Sequence, residues 1–519
     1  MKMKMLNKFI SILLFVFILT LAFGGRANAL SWDVVMNDGF GEGGQNRTIN
    51  SLVVFGDYIY AGVNNLDDGA KVFRSNDGTN WTQVNANGFG NPAHTNVTLF
   101  SDNDTLYAGT AGEVGVSGFK LLKSNNGTTW MQIGEDGFGD VDNYAITSIA
   151  LFNGKLYISV LYIDLVTFNT GMRVYRIDSD SSWTKVNEEG FGDSNNITSY
   201  AMSVFNNKLY VGTNHLVQGP EMWRTQNGTS WSQVADNGFG ETNGRFFSSI
   251  FNFHDKIYAS MMSDTGFELW RSDSGNVDTW TQIGEDGFGS ADNLWTSYLP
   301  VIVNDIIYLG TGNETVDIAK IFFSNDGENW TEEDNGVFVD ARDEGIWSGT
   351  LFKNRIYFAI RNGDIGARII RSEELDSIKI TTESNDLPEA TKERYYSFQL
   401  EYENGTSPYS CTWEGDLPSG MEVTTDCKIQ GTPQNASNHT FTVYLQDSGI
   451  PFQTDEKEFT LKVNENEFSS GNEAEISELP ETGKADIVLI ITFLCQIALL
   501  TIGLMFLLKT TQKQKKDPK

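Results

Sequence analysis

Residues Ser75–Gly90 read SNDGTNWTQVNANGFG: a polar Asp-Gly turn, a short alternating run opened by tryptophan, and a Gly-Phe-Gly stop. The same phrase returns as SNNGTTWMQIGEDGFG (124–139), TQNGTSWSQVADNGFG (225–240) and SNDGENWTEEDNGVF (324–338). The marker tryptophans are Trp32, Trp81, Trp130, Trp183, Trp231, Trp280 and Trp330, spaced by 49, 49, 53, 48, 49 and 50 residues. Eight residues after each stands a phenylalanine: Phe40, Phe89, Phe138, Phe191, Phe239, Phe288 and Phe338. A period of that length marks a stack of supersecondary units, none of which buries its apolar face alone.

The first complete unit predicts four strands, at Ile49–Phe55, Tyr58–Val63, Lys71–Ser75 and Trp81–Val84. They are rich in β-branched and aromatic residues and bounded by Gly, Asn and Asp. Asp77-Gly78, Asn126-Gly127, Asn227-Gly228 and Asp326-Gly327 supply the positive φ of a tight hairpin between the third and fourth strands. A last unit, with inner strands at 347–352 and 356–360 and a third at 368–372, ends without its tryptophan strand. The segment Trp32-Asp33-Val34-Val35 is such a strand with no unit before it. The expectation is an all-β domain over residues 30–377, a seven-bladed β-propeller whose N-terminal strand pairs beside Ile369 and leaves no open sheet edge.

The Ser-Asn-Asp-Gly-Thr-Asn-Trp turn at 75–81 and its copy at 324–330 resemble the Asp-box repeats of sialidases and other propellers, one residue short between Asp and Trp. The second and fourth turns carry Asn126 and Asn227 in place of the Asp, the fifth is longer and the third is degenerate. In that family the box stabilises a rim turn and performs no chemistry, so the resemblance speaks for fold.

Past Ser377 the period disappears. Residues 378–463 alternate polar and apolar side chains at 396–400, 441–445 and 459–463, the pattern of a small β-sandwich. Leu417-Pro418-Ser419-Gly420-Met421 and Ile429-Gln430-Gly431-Thr432-Pro433 resemble the Ig- and cadherin-like domains of bacterial surface proteins, some relatives of which bind calcium. Cys411 and Cys427 lie together in this region and are candidates for a disulfide outside the cell.

The ends address the chain. Residues 1–29 carry Lys2, Lys4 and Lys8, an apolar run from Phe9 to Phe23, and Ala27-Asn28-Ala29, the form of a secretory signal peptide. Residues 464–482 form an acidic stalk that ends in Leu479-Pro480-Glu481-Thr482-Gly483. Residues 483–519 hold an apolar stretch from Ile487 to Leu508, long enough to cross a membrane, and a basic tail. Pentapeptide, span and lysines in that order resemble the sorting signal of sortase-anchored surface proteins. The resemblance implies sortase as processing partner and attachment to the cell wall through Thr482. If the tail is retained instead, the protein is a single-pass membrane protein with its C-terminus in the cytoplasm.

The 519 residues carry a formal charge of −31, and removing the two basic ends leaves −39. Such a chain repels polyanions, which argues against nucleic acid as a partner, and a soluble monomer is expected. Four histidines without a cluster give no zinc site. Aligning the inner strands on their last apolar residue places Arg47, Tyr144, Arg245, Trp295 and Glu344 at equivalent entry positions, with Arg342 and Trp347 close by. Aromatic faces beside guanidinium groups suit sugars or acidic groups, so Arg47, Tyr144, Arg245, Trp295, Arg342 and Trp347 are the candidate ligand-binding residues of a propeller mouth. A sialidase-like exo-glycosidase is the competing reading, with Arg47, Arg245 and Arg342 imitating three carboxylate-binding arginines. The Phe/Tyr-Arg-Ile-Pro stretch that accompanies the first arginine of that family is absent. The acidic loops with Asp140, Asp142, Asp193 and Asp292 are candidate calcium ligands. The expectation is a wall-anchored surface protein that binds an extracellular glycan or protein without turning it over.

Overall fold

The computed structural model describes residues 30–466, except 103, 216, 241–242, 314–318, 334–335, 337, 339–341 and 451. The expected signal peptide and sorting motif, and the apolar tail, lie outside the described residues. No helix among the described residues is long and apolar enough to cross a membrane.

Residues 30–377 form curled, β-propeller-like antiparallel sheets. The first unit runs Thr48–Phe55, Tyr58–Asn64, Lys71–Ser75 and Thr82–Gln83, each strand paired to the next. Trp81 itself precedes its strand. Among the described residues, six such groups follow one another, and a seventh takes Gly345–Phe352, Arg355–Arg361 and Arg368–Ser372 from one end of the chain and Trp32–Met36 from the other. The N-terminal strand opposes Arg368–Ser372 with Trp32 facing Ser372 and Val34 facing Ile370, while Ile369 faces Met36 across a bulge. The expected partner strand is therefore met, with Val34 one residue from the anticipated place beside Ile369 and with Val35 left unpaired by the bulge. Trp32 stacks on Phe358 with ring centroids 5.7 Å apart. Glu333, buried, accepts the Leu30 backbone N–H.

The Gly-Phe-Gly stop has a physical explanation. Gly39, Phe40 and Gly41 all have positive φ (59°, 60° and 86°), and Phe89, Phe138, Phe191, Phe239 and Phe288 repeat the left-handed conformation. An L-residue holds that conformation at a cost of about 1–2 kcal/mol, so packing must favour it. It does: each phenylalanine meets the marker tryptophan of the unit that follows, as in Phe89 with Trp130 (5.4 Å, edge-on) and Phe138 with Trp183 (4.2 Å, stacked). The repeated phrase thus welds neighbouring units at the rim.

The turn before each tryptophan is a second weld. In the first unit the Ser75 hydroxyl accepts the Gly78 N–H (2.8 Å) and Asp77 Oδ1 accepts the N–H groups of Thr79 and Asn80 (2.8 and 2.7 Å). Asn126 Oδ1 accepts the equivalent pair from Thr128 and Thr129, so an amide oxygen serves as well as a carboxylate. Beneath the turn glycines lie tyrosines of the preceding unit: Tyr357 under Gly78, Tyr60 under Gly127, Tyr157 under Gly228, Tyr210 under Gly275 and Tyr258 under Gly327. All five tyrosines are almost fully buried.

His94 is completely buried between the first and second units, with Nδ1 2.9 Å from Thr110 Oγ1 and Nε2 3.8 Å from Asp136. Burial, reinforced by Lys120 and partly opposed by Asp136, holds its pKa down at about 4. A histidine kept neutral in this way stabilises the fold above its unfolded pKa and destabilises it as pH falls from about 6.5 toward 4. The urea midpoint should fall across that window by the equivalent of about 3 kcal/mol, and His94→Asn should flatten the decline; an unchanged slope would remove His94 as its cause.

Residues 378–466 form the sandwich. One sheet orders Ala390–Thr391, Thr454–Asn464, Asn438–Gln446 and Ser410–Gly415; the other orders Tyr396–Gln399, Lys428–Gly431 and Met421–Val423. Phe441, Val443, Leu445, Phe459 and Leu461 fill the space between them, and the sulfurs of Cys411 and Cys427 are bonded at 2.10 Å. The sandwich abuts the sixth unit. Ile302 and Ile450 exchange backbone hydrogen bonds (2.9 and 3.4 Å), and Asp305 Oδ1 accepts the Ser407 N–H (2.8 Å) and faces His254 Nε2 at 3.2 Å.

Candidate functional site

The inner strands do more than alternate. In four units one extra residue is inserted at a corresponding point, a β-bulge that leaves it without a cross-strand partner: Asn50, Thr147, Ser248 and Trp347. The fourth unit has a larger irregularity between Thr198 and Ala201, which holds Tyr200, and the sixth interrupts its inner strand around Tyr298. The second unit pairs regularly and has no bulge.

Where the inner strands converge they enclose a cavity of about 280 Å³. Bulge residues from separate units face it: Asn50, Thr147, Tyr200, Tyr298 and Trp347. One side is aromatic. Tyr200 stacks on Tyr298 (5.3 Å, 18° between planes), and Tyr298 meets Trp347 edge-on (5.0 Å). The other side is polar, with Asn50, Asn96, Thr98 and Thr147, and Leu99, Ile149, Met202 and Ile250 supply apolar surface. Burial raises the Tyr200 hydroxyl above its ordinary pKa, so it is a neutral donor at physiological pH.

Two arginines reach the wall. Arg361 lies over Trp347, its Cζ 5.5 Å from the ring, and its Nε is 2.5 Å from Glu344 Oε2. Arg47 is half-buried at the start of its inner strand, and among the described residues its guanidinium has neither an ion-pair nor a hydrogen-bond partner. Setting aside the ion-paired Arg361, three side chains of the lining carry a buried polar atom without a hydrogen-bond partner among the described residues, Asn64 Oδ1, Ser148 Oγ and Trp347 Nε1.

Of the six residues expected at the mouth, Arg47 and Trp347 line this cavity; Tyr144, Arg245, Trp295 and Arg342 do not. Arg245 is forked onto Asp264 at 2.8 and 3.0 Å on the exposed end of its strand, and Arg342 Nη1 lies 3.5 Å from Asp364. Local carboxylates engage both, so three arginines do not gather in the cavity. Trp295 is buried, 6.5 Å from Trp347, and packs against Gly312 and Gly345, so it supports the wall from behind. Tyr144 stays half-buried at the entry. Missed from the sequence were Asn50, Thr147, Tyr200, Tyr298 and Arg361. The first four stand five residues before the anchors Phe55, Phe152, Phe205 and Val303, where Trp347 also stands before Phe352; the alignment had counted eight.

The candidate calcium ligands are held in their own loops. No group of three or more metal-ligating side chains occurs among the described residues. Asp140 pairs with Arg173 at 2.7 Å and also accepts the Asp142 N–H; Asp193 accepts the Asn195 N–H and faces His215 at 3.3 Å. Asp292 stays in its own turn, its N–H donated to Ser290 Oγ. These carboxylates shape individual turns and do not converge.

Residues 379–464 match the family described as "Putative Ig domain". No curated protein matches the chain. Among solved structures, the extracellular domain of a hybrid two-component system of B. thetaiotaomicron is similar at 13% identity and a TM-score of 0.44, over 84% of this chain and 58% of that one. A GH93 α-L-arabinofuranosidase of Fusarium graminearum is similar at 13% identity and a TM-score of 0.34, over 53% of this chain and 90% of that one. A PL25 ulvan lyase is similar at 9% identity and a TM-score of 0.43, over 66% of this chain and 96% of that one.

Proposed function

We propose that this chain is a bacterial cell-surface binding or adhesion protein, anchored through its Leu479–Gly483 signal after sortase processing. In this reading the seven units close into one ring, a seven-bladed propeller held outward on the Ig-like sandwich. The propeller presents its central cavity to an extracellular glycan or protein and leaves the ligand unchanged. The observation that carries the reading is the wall: several units each contribute a bulged side chain to one space, and together these side chains form an aromatic side facing a polar one. Among the described residues no Asp or Glu lines the cavity, which speaks for binding over a glycosidase that needs two carboxylates. The bonded Cys411 and Cys427 accord with an oxidising exterior.

Binding on a glycan array and to immobilised surface glycoproteins tests this. Trp347→Ala should weaken the strongest interaction by about 30-fold or more, as loss of a central aromatic anchor does, with the melting temperature little changed. Binding that survives Trp347→Ala, or ligand turnover, would overturn the reading.

A further inference from the structure

The cavity wall departs from the rest of the molecule in charge. The chain carries 68 acidic residues in 519, yet among the described residues no Asp or Glu lines the cavity, whereas two arginines do. One of these, Arg361, is already neutralised by Glu344. The other, Arg47, has no partner among the described residues. An arginine that is half-buried and unpaired, in a protein with carboxylates to spare, leaves a planar five-donor fork without an acceptor. An anion is what that fork is shaped to receive.

The rest of the wall limits what the anion is attached to. At about 280 Å³ the cavity is at the small end of ligand pockets, room for one ring and not for a chain of them. The Tyr298–Trp347 pair offers an aromatic edge and face for that ring to pack against. Arg47 precedes the inner strand Thr48–Phe55, and Arg361 ends the strand paired with Gly345–Phe352, so both guanidiniums stand at the entry end of their strands. Resting on the binding role above, we propose that the cavity selects a single-ring carboxylate, with the carboxylate on Arg47 and the ring against Trp347. A uronic acid and an aromatic acid share this chemistry.

Saturation-transfer NMR and calorimetry on the purified full-length chain, with two matched pairs of probes, test the proposal: glucuronate against glucose, and benzoate against benzyl alcohol. The acid of at least one pair should bind 10-fold or more tighter than its neutral partner. That preference should vanish in Arg47→Gln and return in part in Arg47→Lys; a preference for glucuronate alone would assign a sugar, and for benzoate alone an aromatic acid. The Arg47 guanidinium makes no hydrogen bond or ion pair among the described residues, so equal melting temperatures will show that folding is intact. Neutral partners binding as well as the acids, or Arg47→Gln leaving the preference in place, would overturn the anion selectivity while leaving a binding cavity standing. Failure of all four probes to bind would overturn the single-ring assignment, and the glycan array would then decide the wider reading alone.

Discussion

Gly127→Ala should destabilise the protein by about 3 kcal/mol and lower its melting temperature by several degrees. Two effects add. Gly127 has φ +71°, where a Cβ costs about 1–2 kcal/mol. A Cβ at this glycine would also stand 1.8 Å from the Tyr60 hydroxyl oxygen and 2.5 Å from its Cζ, an overlap relieved only by moving a buried ring, at about 1–3 kcal/mol. Gly56→Ala separates the two: its φ is +55° and nothing lies within 4 Å, so it should show the backbone cost alone. Tyr60→Phe removes the nearest atom and leaves Cζ, so the double variant should recover part of the loss in a mutant cycle. Equal melting temperatures for Gly127→Ala and Gly56→Ala would mean that the turn does not rest on the neighbouring tyrosine.

Trp32→Ala should cost about 3–5 kcal/mol, the range for a buried tryptophan. Trp32 stacks on Phe358 within a cluster that includes Ile346, Ile360 and Ile370, and it anchors the strand that covers Arg368–Ser372. Losing the anchor bares a row of unpaired backbone groups, so the variant should also self-associate in sedimentation experiments. Urea unfolding at unchanged midpoint would show that the N-terminal strand is not structural.

The repeats were legible because each device is written in single residues at fixed offsets. Asp77-Gly78 announces a turn that needs positive φ, and the tryptophan-to-phenylalanine spacing of eight repeats because the two side chains pack across successive units. The Trp32 strand, with no unit before it, pointed to the sheet that lacked one. The site was less legible. A bulge leaves no mark in the turns that bound a strand, and counting eight residues back from Phe55 or Phe352 ran to the strand's entry end, three residues past the bulged position that faces the cavity. Arg47 was found because it stands at that entry end, and Trp347, the bulged residue itself, because it lies three residues from Glu344. Arg245 and Arg342 were drawn in by residue type, yet Asp264 and Asp364, close along the chain, reach them first. In the acidic loops, Asp and Asn favour turns for their own hydrogen bonds, and Asp140, Asp193 and Asp292 sit in separate turns.

The proposed ring, with the cavity at its centre, depends on the N-terminal strand completing the last unit. Native-state hydrogen exchange read by mass spectrometry on peptides covering Trp32–Met36 and Arg368–Ser372 tests this. The account predicts that both segments exchange as slowly as the inner strands Thr48–Phe55 and Gly345–Phe352, with Trp32→Ala accelerating the two together. Exchange of Trp32–Met36 at the rate of an unpaired terminus, while the inner strands remain protected, would contradict it.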